Sequence, residues 1–97
     1  MTTTTAAAGL VMRHLDFVHQ AFCADWQVRF ISVTESWAQF AVAGPKARSL
    51  VNSFVETPVE LPFMGVAPVR IGGVDGRLFR ISFSGEEGYE LAVPTRY

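Results

Sequence analysis

The hydrophobic positions of this chain change period along its length. Over AAAGLVMRHLDFVHQAFC, Val11, Leu15, Val18 and Phe22 recur at helical spacing, and Leu10, His14 and Phe17 widen the stripe. Thr4 or Thr5 is placed to cap the start, because a hydroxyl accepts from the orphan amides of a first turn. Gly9 costs roughly 1 kcal/mol relative to alanine there, and marks either a close packing contact or a helix that starts late. The period then shortens to two. WQVRFISVTESWAQFAVAG holds two runs rich in β-branched and aromatic residues split by TES, which predicts a hairpin with strands at 27–34 and 37–43. GPKARSLVNSFV returns to helical spacing, with Pro45 at a first helical position and Ala47, Leu50, Val51 and Phe54 on one side. Beyond the proline-broken TPVELPFM, the turns GGVDG and GEEG divide the remainder into strands at 66–71, 77–84 and 89–93.

The predicted order is αββαβββ. Its economical arrangement is an α+β fold, a ferredoxin-like antiparallel sheet with two helices on one face. The usual form of that layer starts with a strand ahead of the first helix, and none precedes the threonines. Residues 1–97 therefore read as a single partial domain of a larger module.

One residue resists this pattern. Within RISFSGEEGYELAVP, Glu90 falls inside a strand, where a carboxylate is disfavoured by propensity and costly to bury unless paired. Two hairpin registers are open across SGEEGY. A three-residue loop of Glu86, Glu87 and a left-handed Gly88 sets Phe83 opposite Leu91 and Ile81 opposite Val93, leaving Glu90 across from Ser84 on the other face with Ser82, Arg80 and Ala92. A four-residue loop pairs Phe83 with Glu90 and puts both on one face. The alternation of side chains makes the choice a one-residue slip, and the three-residue loop is preferred because it keeps Tyr89, Leu91 and Val93 together. The plain reading of Glu90 is an exposed sheet position with Arg80 as a partial counter-charge, and such surface pairs contribute about 0–1 kcal/mol.

Composition narrows the function classes. The chain is 49% hydrophobic and 18% charged with a net charge of −1, so no global field draws it to nucleic acid or anionic lipid. No run approaches the roughly 20 apolar residues of a membrane span, and the N-terminus lacks the pattern of a signal peptide. Cys23 is the only cysteine, which excludes an internal disulfide and a multi-cysteine zinc site and makes a reducing, cytoplasmic setting the default. His14 and His19 lie about 140° apart around a helix and cannot grip one metal together. Cys23 has no cationic neighbour in sequence and reads as a packing residue. Neither GGVDG nor SGEEG precedes a helix, so both read as turns and not phosphate cradles. VAGPKARSL does precede one, with Lys46 and Arg48 in position for weak anion binding. Trp26, Trp37, Phe40, Phe54, Phe63, Phe79 and Tyr89 read as core or as surface meant for a neighbouring domain, with self-association as the consequence of leaving them exposed.

SVTESWAQFAVAGPKAR followed by FRISFSGEEGYELAVP resembles the folate-binding aminomethyltransferase module shared by the glycine cleavage T-protein, dimethylglycine dehydrogenase or oxidase, and the α subunit of heterotetrameric sarcosine oxidase. TTTTAAAGLVMRHLDF and ISFSGEEGYELAVP are similar to the sarcosine oxidase version more than to the T-protein version. The resemblance implies that Glu90 accepts hydrogen bonds from the pterin ring of tetrahydrofolate. It places at Phe83, seven residues earlier, the site of a pocket tyrosine in the T-protein, so that stacking is kept and the hydroxyl lost. A shared pocket of Phe83 and Glu90 would favour the four-residue loop. The family's catalytic aspartate lies upstream of the matching region and a further folate-contacting arginine downstream, and Asp16, Asp25 and Asp75 fit neither context. The implied role is one wall of a folate site, with no catalytic residue in this chain. In such an enzyme sarcosine is oxidised at a flavin in another subunit, its one-carbon unit goes to tetrahydrofolate, and flavin and NAD belong to other parts of the complex. The expected partners are folate and the other domains or subunits. Two alternatives stay open: a stand-alone ferredoxin-like domain that binds a small ligand or a protein without catalysis, and a structural subunit that assembles through its aromatic residues.

Overall fold

Met1–Glu35 and Ser36–Tyr97 fold as two compact units in the computed structural model, which describes residues 1–97. The first unit carries α1 (Thr5–Phe22). Thr4 takes the N-cap position with an extended backbone but makes no side-chain capping bond, so the expected hydroxyl cap is absent. Gly9 is interior to the helix and a Cβ there would meet nothing within 4 Å, which removes both the close contact and the late start as its explanation. At the other end the Cys23 amide donates to the His19 carbonyl, and the His19 ring nitrogen Nε2 lies 2.9 Å from the Trp26 carbonyl oxygen.

The first arm of the predicted hairpin does not form. Residues 27–33 have no regular structure, and TES makes a short 3-10 turn, Thr34–Ser36. A β-prone run becomes a strand only where a ladder takes up its amides and carbonyls, and the strand that follows finds its partner at the far end of the chain instead. The observed order is αβαβββ.

The second unit holds β1 (Trp37–Ala43), α2 (Ala47–Phe54), β2 (Val66–Ile71), β3 (Val74–Phe79) and β4 (Gly88–Pro94). The strands form one antiparallel sheet in the order β1-β4-β3-β2, so the antiparallel α+β class read from the sequence stands. Gly72 and Gly73 alone make the turn between β2 and β3, with φ of 54° and 81°. Left-handed residues at both central positions suit the tight hairpin turn whose twist matches its strands. Ile71 therefore pairs with Val74, and Val74, Asp75 and Gly76 belong to β3 rather than to the turn.

The core lies between α2 and one face of this sheet. Leu78 is fully buried at its centre, packed with Val51, Val55, Val69 and Tyr89. Ala47 and Val51 supply the buried edge of α2, while Leu50 and Phe54 stay about half exposed, so the buried stripe is narrower than the spacing predicts. Pro45 is not at the first helical position. It precedes the N-cap residue, Lys46, in a turn closed by the Ala47 amide donating to the Gly44 carbonyl.

A polar cluster joins α2 to the start of β4. Arg48 Nε donates to Glu87 Oε1 at 2.8 Å, the Tyr89 hydroxyl donates to the same oxygen at 3.0 Å, and the Gly44 amide donates to the Glu87 carbonyl. The Arg48 hydrogen bond first, and the Tyr89 hydroxyl second, hold the Glu87 carboxyl below its ordinary value.

Two outcomes follow from this packing. Leu78→Ala leaves a cavity at the centre of a small core and should cost about 2–5 kcal/mol in urea unfolding, whereas Leu50→Ala, on the exposed flank of α2, should cost under about 1 kcal/mol. Because the folded-state pKa of Glu87 is depressed, its contribution is complete above the ordinary carboxylate value of 4.5 and fades as pH falls through the lower folded value. The stability difference between the intact chain and Glu87→Gln should therefore be flat near neutral pH and shrink below pH 4.5; a difference that ignores pH there would mean the ion pair contributes nothing.

Candidate functional site

β4 divides its side chains between two environments. Tyr89 and Leu91 turn toward α2 and the core, so Gly88, Glu90 and Ala92 turn to the opposite sheet face. The register sets Glu90 between Ala41 of β1 and Phe79 of β3, and sets Ala92 between Gln39 and Arg77. All of these share the face that α2 leaves uncovered.

Glu90 is half-buried there, yet it takes part in no hydrogen bond through its side chain and no ion pair. Its surroundings explain the partial burial. A Cβ at Gly88 would stand 3.0 Å from the Ile81 carbonyl oxygen and 3.6 Å from the Ser82 Cα, so the Ile81–Ser82 backbone lies close against the strand two residues ahead of Glu90, and a larger residue at 88 would have to push it back. Ala92, two residues on, is 2% exposed, and the Arg77 guanidinium next to it stacks 4.6 Å from the centre of the Trp37 ring. Phe79 closes the third side. The fourth, over Ala41 and Gln39, is open to solvent.

An unpaired carboxylate held in such a niche is an acceptor with two oxygens and no donor to serve them. A half-buried charge beside an aromatic ring gains most from a partner that brings adjacent N–H groups. The arrangement is suited to recognition. It contains no nucleophile paired with a base, and no cluster of three His, Cys, Asp or Glu side chains gathers anywhere in the chain.

The site residues read from the sequence fare differently. Glu90 lies in a strand and on the face away from the apolar residues, as its alternation predicts. Phe83 does not accompany it. Neither hairpin register occurs, because β3 begins and ends earlier than expected and residues 80–87 all belong to the connection. Phe79 takes the position opposite Glu90, and Phe83 is fully exposed on the connection. The left-handed glycine is Gly85, with φ of 84°, and not Gly88. Arg80 is no counter-charge to Glu90, since its Nη1 donates to the Leu61 carbonyl at 2.7 Å. Arg48, the first-turn cation that suggested anion binding, is taken by Glu87. Of the aromatic residues read as core or as surface for a neighbouring domain, Tyr89 is in the core, whereas Trp26, Phe40, Phe54 and Phe63 are each at least half exposed.

The connection also shapes a recess of about 250 Å³, lined by Phe63, Arg80, Ser82, Gly85, Glu86, Glu87 and Gly88. The Ser82 hydroxyl is buried beside it without a partner. Phe79 and Ala41 are the neighbours of Glu90 that the sequence pattern missed. In FRISF the two phenylalanines share one phase of the alternation, and only the true length of the β3–β4 connection distinguishes Phe79 from Phe83.

No helix is long and apolar enough to cross a membrane. The profile of the GCVT N-terminal domain matches residues 1–97. The chain is similar to the sarcosine oxidase subunit alpha of Rhizobium meliloti, at 48% identity over 100% of this chain and 10% of that protein. It is similar to the same subunit of Corynebacterium sp. strain P-1, at 38% identity over 97% of this chain and 10% of that protein. The aminomethyltransferase of Thermus thermophilus is 33% identical over 78% of this chain and 22% of its own length. The chain thus spans about a tenth of the sarcosine oxidase subunits it matches. With its full length matched and its acid-bearing strand set into an antiparallel α+β sheet, the chain belongs to the GCVT N-terminal domain family.

Proposed function

We propose that this chain forms one wall of a tetrahydrofolate site in a sarcosine oxidase α-subunit-like protein and supports transfer of the one-carbon unit released when sarcosine is demethylated. The observation that carries the reading is Glu90, half-buried and unpartnered on an uncovered sheet face. A pterin edge presents neighbouring N–H donors, which a carboxylate can accept in pairs. The names of the relatives, sarcosine oxidase subunit alpha and aminomethyltransferase, support the same chemistry.

In this reading Glu90 orients the ring and breaks no bond. The chain contributes no catalytic residue and has no activity by itself. Bound tetrahydrofolate supplies the nitrogens that accept the one-carbon unit, and flavin and NAD belong to other parts of the parent complex, in the cytoplasm. The partners are folate and the remaining domains or subunits.

One observation favours a second reading, an interaction domain without catalysis. Phe40, Val42, Val51, Phe54, Val55, Ile71 and Leu91 line an apolar groove of about 240 Å³ between α2 and the sheet. Such a groove suits an apolar partner and has no use for Glu90.

Calorimetric titration of folinic acid into the intact chain and into Glu90→Gln separates the two. Folate recognition predicts binding that weakens about tenfold in the variant, the worth of one charge-assisted hydrogen bond. Equal affinities would remove Glu90 from the contact, and no binding to either protein would mean that the site needs walls this chain does not supply, which moves the same comparison to the longer protein.

A further inference from the structure

We infer that the free edge of β1 pairs with β1 of a second copy of this chain, joining two sheets about a two-fold axis at Phe40. This step is independent of the folate reading. Two bonds at the ends of the strand fix which backbone groups face that edge. The Gly44 amide donates to the Glu87 carbonyl and the Thr95 amide donates to the Ser36 carbonyl, and both pairs continue the register in which Phe40 meets Leu91. Antiparallel ladders alternate hydrogen-bonded and non-bonded pairs, so Ala38, Phe40 and Val42 direct their N–H and C=O groups to β4. Those of Trp37, Gln39, Ala41 and Ala43 point outward, where β1 ends the sheet.

The two edges of the sheet differ. β2 carries Pro68 and Arg70, residues of the kind that discourage edge pairing. β1 has neither a proline nor a charge in its seven residues, and it matches β4 one residue to one without a bulge. An edge of that kind is a template for another strand. Because β1 is uncharged throughout, a second copy of it brings no like charges into opposition. The copies also match in size. With the axis at Phe40, Trp37 faces Ala43 of the second copy and Gln39 faces Ala41, so each large side chain stands opposite a small one. In the same register all four outward-pointing residues of each copy find backbone partners together.

Apolar surface beside β1 adds to the ladder. Phe40, Val42 and Phe54 line the groove between α2 and the sheet, with Phe40 56% and Phe54 51% exposed. The axis brings Phe40 against its own counterpart at a non-hydrogen-bonded position, where side chains approach most closely, and sets one groove next to the other. A contact that uses the same patch on both copies is closed, and Pro68 and Arg70 guard the two outer edges that remain.

Sedimentation equilibrium over a range of concentrations should give a mass that rises to twice that of one chain and no further. Phe40→Lys sets two like charges against each other across the axis and should raise the dissociation constant about tenfold or more. Phe83→Lys replaces an aromatic residue that is fully exposed on the β3–β4 connection and should leave it within about twofold. Amide exchange in the intact chain reads the same contact directly. The amides of Trp37, Gln39, Ala41 and Ala43 should slow as the dimer fills, while those of Ala38, Phe40 and Val42 are protected in the monomer already. Thermal melts confirm that both variants fold, and if Phe40→Lys does not, the exchange pattern decides alone. A monomer at every concentration, growth past two copies, or an association that Phe40→Lys leaves intact or Phe83→Lys removes overturns the inference. So does protection of the four outward amides in the monomer, which would put another strand of the same chain on that edge.

Discussion

The register of β4 between β1 and β3 is the constraint on which the second unit depends. Because side chains alternate along a strand, a slip of one residue would carry Tyr89 and Leu91 out of the core and turn Glu90 into it. The penalty is double, since the apolar contacts around Leu78 would be lost and a carboxylate would be buried without a partner. Local contacts reinforce the same choice. The Gly44 amide bonds the Glu87 carbonyl just ahead of β4, and Arg48 and Tyr89 converge on the Glu87 carboxylate. A half-exposed pair of this kind adds little to global stability, but it acts where the strand begins and so bears on register more than on energy.

That register also accounts for the character of the Glu90 face. Apolar side chains on β4 are used up by the core, and the opposite face keeps what the core cannot hold. Even so, it is not an ordinary solvated surface. Arg77 is not extended into water or paired with Glu90; it lies on the Trp37 ring, an arrangement a guanidinium tolerates because it is weakly hydrated and planar. A cation on the same face is therefore engaged with an aromatic ring while the carboxylate makes no ion pair. A sheet face arranged for stability alone would be expected to pair these two charges across the ladder.

Much of this architecture is legible in the sequence because it rests on periodicity. The α1 stripe, the bounds of β2 and the position of Glu90 in a strand all follow from the spacing of apolar residues between glycines and prolines. What escaped the pattern was non-local. The run at 27–33 has the composition of a strand but no ladder partner, and Arg48 and Glu87 are far apart in sequence. The β3–β4 connection was misjudged for a different reason. GGVDG looks like one five-residue turn, but two glycines complete it, and the residues recovered by β3 at its start shift its end from Ser84 back to Phe79. The resemblance points to Glu90 and is silent on Phe79, since likeness of sequence carries no information about which residue lies across a ladder.

Placement on β4 rather than on the adjoining connection matters for what the acid can do. Glu90 has a hydrogen-bonded strand on each side, so its backbone is fixed by two ladders before any ligand arrives. A contact made from such a position costs little ordering of the chain, whereas one made from Phe83 would require a loop side chain to leave solvent and settle. Sites built on regular elements hold their geometry more closely than sites on loops. Phe79, Glu90 and Ala41 stand in one row across three hydrogen-bonded strands, whereas the recess is lined mostly by residues of the β3–β4 connection. A ligand that needs its ring held at a defined angle to an acceptor is better served by the row than by the recess.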